Sequence, residues 1–308
     1  NRYFTKMIYC IKRKDLDVEK YDACISTSLQ SNLFGFSWYL DICCTNWMVL
    51  VLNDYEAVMP IPYRKKYGIK YVYPPLWILE LGLFSKGRKV QIDSFLEVLK
   101  AHFKFAELRL NSENNAIQHQ NKSQIGSLQF LSLKQGYKSV FKKYNRNRKR
   151  ELIKAKNANL IENWSDSPDK LVSLFKQNIA TRLAKINDKD FENLLRVIQF
   201  CLANKTGELL TVYSENNVLV SAAFFIKFKN KVTQLVCASD FHNRDNGANT
   251  FSNDRAIFRY QNQFDIYSFG GSSIESIANY YKSFGAETIT YRLLKHNNLF
   301  TLLKLFKR

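Results

Sequence analysis

The chain has 308 residues, 46% of them hydrophobic and 14% aromatic, which allows two ordinary domains and excludes a disordered polymer. A formal charge of +19 points to an anionic partner: nucleic acid, a phosphorylated cofactor or an acidic membrane face. Scattered lysines on a soluble surface would produce the same number, so charge alone is no footprint.

In chain order, Met7–Lys12 reads as a strand and Val18–Leu29 as an amphipathic helix. The most apolar run, Trp47 to Pro62, is interrupted by Asn53, Asp54, Glu56 and Pro60, so no membrane span is expected. It reads instead as a hairpin of Trp47–Leu52 and Ala57–Tyr63 about an Asn-Asp turn. Ile69–Tyr73 and Ile78–Phe84 are further strand candidates, followed by a helix at Ile92–Phe103 and a strand at Phe105–Asn111. Residues 112–126 are polar without an apolar period, which sets the expected boundary between a domain of residues 1–126 and one of 127–308.

The second half opens with a strand at Ser127–Leu133 and one long basic helix at Tyr137–Lys156, with Val140, Tyr144, Leu152 and Ala155 facing the core. Leu160–Trp164 is a short strand. Asp166-Ser167-Pro168-Asp169 starts a helix running to about Arg182, and Asp188–Ala203 is another. Three strands follow in close order, Leu209–Ser214, Leu219–Lys229 and Lys231–Ser239. A helix over Ala248–Gln263, a strand at Ile266–Phe269, a helix over Ser273–Phe284, a strand at Thr288–Leu293 and a basic tail helix at Asn298–Lys307 complete the chain. Each half is a β-rich meander followed by helix and strand, the pattern of a duplicated fold. The fold class is α/β (α+β), with mixed, mostly antiparallel sheets flanked by helices.

Six cysteines without a C-x-x-C pair suit a reducing compartment, and residues 1–12 lack a cleavage site, so a cytoplasmic location is expected. Four histidines lie far apart, none at ligand spacing, and no metal is expected.

Two segments carry chemistry. The strand ending at Cys237-Ala238-Ser239 leads through Arg244, Gly247, Ala248 and Asn249 into a helix, whose N-terminal N–H groups and dipole favour phosphate. The competing reading is an ordinary turn that uses Gly for its geometry. Further on, Tyr280-Tyr281 precedes Ser283-Phe284-Gly285-Ala286-Glu287; a phenol stays protonated at neutral pH and can donate, or it can simply pack a helix onto the sheet.

Taken together, three strands, an R-x-x-G-A turn, a helix, a strand and a helix with Tyr four residues before Gly resemble the GNAT acyltransferase superfamily. The basic helix with Arg146, Arg148, Lys149, Arg150 and Lys154, and the Phe269-x-Gly271-Ser272 and Phe284-Gly-Ala-Glu motifs, resemble its tandem-GNAT branch related to the FemABX transferases. Asn249 departs from the small residue usual in the phosphate loop, and Ser268 from the Asp usual before Phe269.

The resemblance implies two GNAT-like domains, the first degenerate and shaping the acceptor pocket, with Trp38, Tyr39 and Trp77 as lining candidates. It implies an N-acyltransferase whose Cys237, Ala238, Ser239, Arg244, Gly247, Ala248 and Asn249 hold acetyl-CoA or another acyl-CoA. Tyr281 would protonate the thiolate, and an amine-bearing acceptor would take the acyl group. The resemblance leaves a second donor open, aminoacyl-tRNA for a cell-wall precursor, with the basic helix 137–156 tracking its phosphates. Tyr280-Tyr281 stands where those enzymes carry Phe-Lys, which favours CoA. A non-catalytic polyanion-binding protein is the third alternative. Neither Asp240 nor Glu275 stands out as a general base.

Overall fold

The computed structural model describes residues 7–87, 90–114, 124–178, 186–271 and 274–299, excluding the side chains of residues 124, 243 and 244. The chain divides into two compact units, Asn1–Gly126 with Thr290–Arg308, and Ser127–Ile289.

In the first unit the strands β1 (Ile8–Lys12), β2 (Asn46–Leu52), β3 (Ala57–Lys66), β4 (Ile69–Val72), β6 (Phe105–Arg109) and β13 (Glu287–Asn297) form a sheet in the order β1-β2-β3-β4-β6-β13. The short β5 (Phe84–Ser85) pairs with β3 off this path. All neighbours are antiparallel except β4 and β6. The last strand belongs here because Leu293 to Asn297 pair with Arg109 to Phe105. The helices are α1 (Val18–Thr27), capped by Asp17, α2 (Ser37–Cys43) and α3 (Ile92–His102). Tyr21, Ile25, Leu40, Phe84, Phe95 and Leu99 are fully buried.

Three expectations differ here. The strand expected at Ile78–Phe84 is reduced to β5 and a single bridge from Leu81 to Leu110, because Trp77 (φ 67) and Gly82 (φ 115) take left-handed conformations that break an extended run. The seven-residue α2 was not anticipated, being too short to show a helical period. Tyr39, expected as a pocket candidate, is a core residue: it is fully buried and its hydroxyl donates to the Trp77 carbonyl at 2.6 Å.

The second unit carries β7 (Gln124–Ser132), β8 (Ile161–Asn163), β9 (Gly207–Tyr213), β10 (Leu219–Phe228), β11 (Lys231–Ser239) and β12 (Ile266–Ser268), in the order β7-β12-β11-β10-β9-β8. Only β11 and β12 run parallel. The helices are α4 (Gly136–Lys142), α5 (Arg146–Asn157), α6 (Pro168–Asn178), α7 (Asp188–Ala203), α8 (Ala248–Tyr260) and α9 (Glu275–Lys282). Adjacent residues of β10 show why helices cover both faces of this sheet. Phe224 packs against Gly207, which also faces Cys201 of α7, whereas Phe225 stacks edge-on against Tyr260 of α8 at 5.6 Å.

The long basic helix is in fact two. The chain turns at Lys143–Asn145, and Asn145 restarts it by accepting from the Arg148 amide at 3.0 Å. The turn is anchored by the Asn145 amide donating to the Ser283 carbonyl. Val140, Tyr144 and Ala155 are buried as the periodicity requires. Asn298 and Leu299, where the tail helix was expected to start, are not helical, while the rest of that helix and the end of the helix expected to reach Arg182 fall outside the described residues.

Candidate active site

The site begins with a defect in the sheet. β11 pairs with β10 along its whole length, but with β12 only over Lys231, Val232 and Thr233. Beyond Thr233 the two parallel strands part, and Phe269 turns to donate its amide to Gln129 of β7. The cause is a bulge. Phe225 pairs with Gln234 and Phe224 with Val236, so Leu235 is an extra residue that bends β11 away from β12. Among the described residues no strand pairs with the opened edge of Gln234–Ser239, which leaves a row of backbone donors and acceptors facing a notch.

Aromatic side chains line the notch. Tyr281 of α9 is buried, 7% exposed, and its ring stacks on Phe269 at 4.6 Å and 23°. Its hydroxyl lies beside the Cys237 thiol on β11. Burial raises the Tyr281 phenol well above its ordinary value and pushes the Cys237 thiol up to about 11. Both therefore stay protonated at neutral pH, so Tyr281 can give a proton and Cys237 is no thiolate nucleophile. Deeper in, the Tyr267 hydroxyl lies between Gln234 Oε1 (3.2 Å) and Asn253 Oδ1 (3.1 Å), tying α8 to both strands.

The turn from β11 to α8 supplies the polar end. Asp240 caps it through the His242 amide, and Asn178 of α6, a residue the sequence did not single out, receives the Phe241 amide at 2.9 Å. Gly247 (φ 75) is left-handed, and a Cβ there would collide with the Glu151 carbonyl of α5. The glycine thus admits a helix backbone, not only a ligand. The Ala248 amide is taken by Asn246 Oδ1 at 3.0 Å, while Asn249 is exposed. Of the expected residues, Cys237 and Tyr281 meet directly; Ala238 is buried in β11 and Ser239 half-buried at its end. The Arg244 side chain lies outside the described residues.

Arg148 is the residue that sequence reasoning missed in this role. From α5 its guanidinium lies over the Tyr280 ring at 4.5 Å, and Nη1 donates to Thr250 Oγ1 in the first turn of α8 at 2.6 Å. Nε is buried without a hydrogen-bond partner. Among the described residues it has no carboxylate partner, so a positive charge stands at a helix N-terminus. Nothing in the Arg/Lys run marks it; only the break at Asn145 turns it inward.

On another face of α8, Asp254 is 5% exposed, accepts from the Tyr137 hydroxyl at 2.8 Å, and lines a groove of about 490 Å³ with Leu152, Lys156 and Phe251. Burial raises its carboxyl above the usual range, against the opposing pull of Tyr137 and Arg255. A carboxyl with a higher pKa folded than unfolded contributes most below the unfolded value, and loses that contribution as pH rises through the folded one. Asp254→Asn keeps an acceptor for Tyr137 and removes the buried charge. Its melting temperature should exceed the wild type's at neutral pH and match it in acid; a lower value at neutral pH would contradict this account.

The sequence matches no known family profile and no curated protein. In three dimensions the chain is similar to the crystal structure of FemX, with TM-score 0.62 and 12% identity over 95% of this chain and 99% of that one. The C-terminal domain of a putative lysylphosphatidylglycerol synthetase from Agrobacterium fabrum follows at 0.58 and 10%, over 94% and 95%. A tandem GNAT protein from the clavulanic acid biosynthesis pathway gives 0.51 and 9%, over 94% and 99%. Among the described residues no helix is long and apolar enough to cross a membrane, and no group of side chains could hold a metal ion. With the parted parallel strands and these likenesses, the chain has a tandem-GNAT fold, similar to that of FemX.

Proposed function

We propose that the chain is an N-acyltransferase, acting in the cytoplasm, that moves an acetyl or other acyl group from a CoA thioester to an amine acceptor. The observation that carries this reading is the notch between β11 and β12 with the protonated Tyr281 beside it. The open edge of Gln234–Ser239 suits the two amides of a pantetheine arm, laid alongside as an added strand. The phosphates would then reach the first turn of α8, where the Asn249 and Thr250 amides and the Arg148 guanidinium offer positive charge. The amine nitrogen attacks the thioester carbonyl and the C–S bond breaks. Tyr281 gives its proton to the departing thiolate, and the proton released by the amine balances it. The first unit is proposed to be a degenerate copy that contributes to the choice of acceptor.

A second donor, aminoacyl-tRNA, is favoured by one observation: Arg146, Arg150, Lys154 and Lys156 are all exposed on α5, the helix that packs over Gly247. Titration calorimetry with acetyl-CoA separates the two. Binding is expected, with Arg148→Ala weakening it roughly ten- to a hundredfold, the worth of one charge-assisted contact. No heat with acetyl-CoA, alongside firm retention of tRNA, would transfer the proposal to the second donor.

A further inference from the structure

The end of the β3–β4 hairpin has no place in the transfer reaction or in the core. The first six residues of β3, Ala57 to Pro62, are buried whichever face they point to, whereas Arg64, Lys65 and Lys66 are exposed on both. The sheet therefore continues past the unit that supports it. Lys65 sits directly across from Lys70, a like-charge pairing that opposes strand association. Among the described residues Arg64, Lys65, Lys66 and Lys70 have no carboxylate partner; their recorded contacts are aromatic, with Arg64 over Tyr73 at 4.2 Å and Lys70 over Tyr63 at 5.4 Å.

The turn itself, Tyr67–Gly68, needs positive φ at both residues (50 and 79). Gly serves there freely, but Tyr is a poor choice for the left-handed region, where Asn, Asp or Gly is usual. Its ring is 77% exposed and among the described residues meets only the neighbouring Lys66 ammonium, at 5.5 Å, so no packing in the core accounts for it.

We infer that this hairpin tip is a contact surface for an anionic lipid bilayer. A tyrosine at the apex with lysines set behind it matches the headgroup layer, where amphipathic rings settle and ammonium groups meet phosphate. A single-stranded RNA would need open ring faces in a groove. Here Arg64 and Lys70 already cover Tyr73 and Tyr63, and the tip is exposed on both faces, so lipid fits better.

Sedimentation with vesicles tests it. The protein should pellet with phosphatidylcholine vesicles containing phosphatidylglycerol and not with phosphatidylcholine alone. Each lysine near such a surface is worth about fivefold, so replacing Lys65, Lys66 and Lys70 together by Ala should lower partitioning roughly a hundredfold. Tyr67→Ser should weaken it further at unchanged charge. The same number of alanines at the exposed Lys138, Lys142 and Lys156 should cost much less. Circular dichroism and acetyl-CoA affinity should stay at wild-type values in the hairpin variants, which keeps this result separate from that of the transfer reaction. Three outcomes overturn the inference: equal binding to neutral vesicles, equal loss from the control lysines, or loss of binding to a single-stranded RNA oligonucleotide with vesicle binding unchanged.

Discussion

Tyr281→Phe is expected to lower turnover by about a hundred- to ten-thousandfold while acyl-CoA affinity stays at the wild-type value, the range for loss of a general acid. The separation of kcat from binding follows from where the hydroxyl sits. Phenylalanine keeps the ring that stacks on Phe269, so the wall of the notch is preserved and the cofactor meets the same surface. Only the donor to sulfur is lost, a hydroxyl that here lies beside Cys237. Tyr280→Phe is the matched control. That hydroxyl is buried beside Thr250 and Arg148, and the ring that carries Arg148 survives the change, so turnover should move little. The pH profile adds a separate readout. Burial holds the Tyr281 phenol protonated well above the ordinary 10, so the alkaline limb of kcat should not bend there on its account. Wild-type turnover in Tyr281→Phe would remove the residue from the mechanism.

The elements that the sequence made legible are those whose signals are local. β11 and α7 have the bounds expected for them because turn residues and a capping box at Asn187 and Asp190 mark their ends in the residues themselves. The tandem-GNAT resemblance was likewise carried by short motifs around Arg244–Asn249 and Tyr281–Gly285 that need no tertiary contact to be seen. What stayed hidden depends on pairs distant in the chain. The break at Asn145 carries an N-cap signal, but Lys and Arg on both sides mask it, and its anchor, the Ser283 carbonyl, is far away. The bulge at Leu235 exists only relative to β10, since an extra residue is defined by its partner strand. Arg148 was visible as charge and invisible as geometry: its partners Thr250 and Tyr280 lie on two other helices. Gly247 was legible as a residue needed at a helix start, but the neighbour that needs it could not be read.

Gly247→Ala should therefore be the most damaging small substitution at the site, costing about 2–4 kcal/mol of stability. Part of this is the left-handed backbone, φ 75, which alanine adopts at a cost of about 1–2 kcal/mol. The rest is steric. The new methyl would meet the Glu151 carbonyl and the Ala155 amide, both backbone atoms of α5, so no side chain can swing aside and the helix itself must shift. In a domain of this size that is a fall in melting temperature of about 5–15 °C. Glu151→Ala should give no rescue, because trimming a side chain does not move the carbonyl, and the double variant should be as damaged as the sum of its parts. The shift has a functional consequence, since the same helix delivers Arg148 to Thr250: acyl-CoA affinity should fall together with stability. If Gly247 served ligand approach alone, Gly247→Ala would lose affinity with only the smaller loss of stability that the left-handed backbone sets, about 1–2 kcal/mol. Calorimetry and thermal denaturation on the one variant thus decide whether this glycine is there for the phosphate or for the helix that carries the arginine.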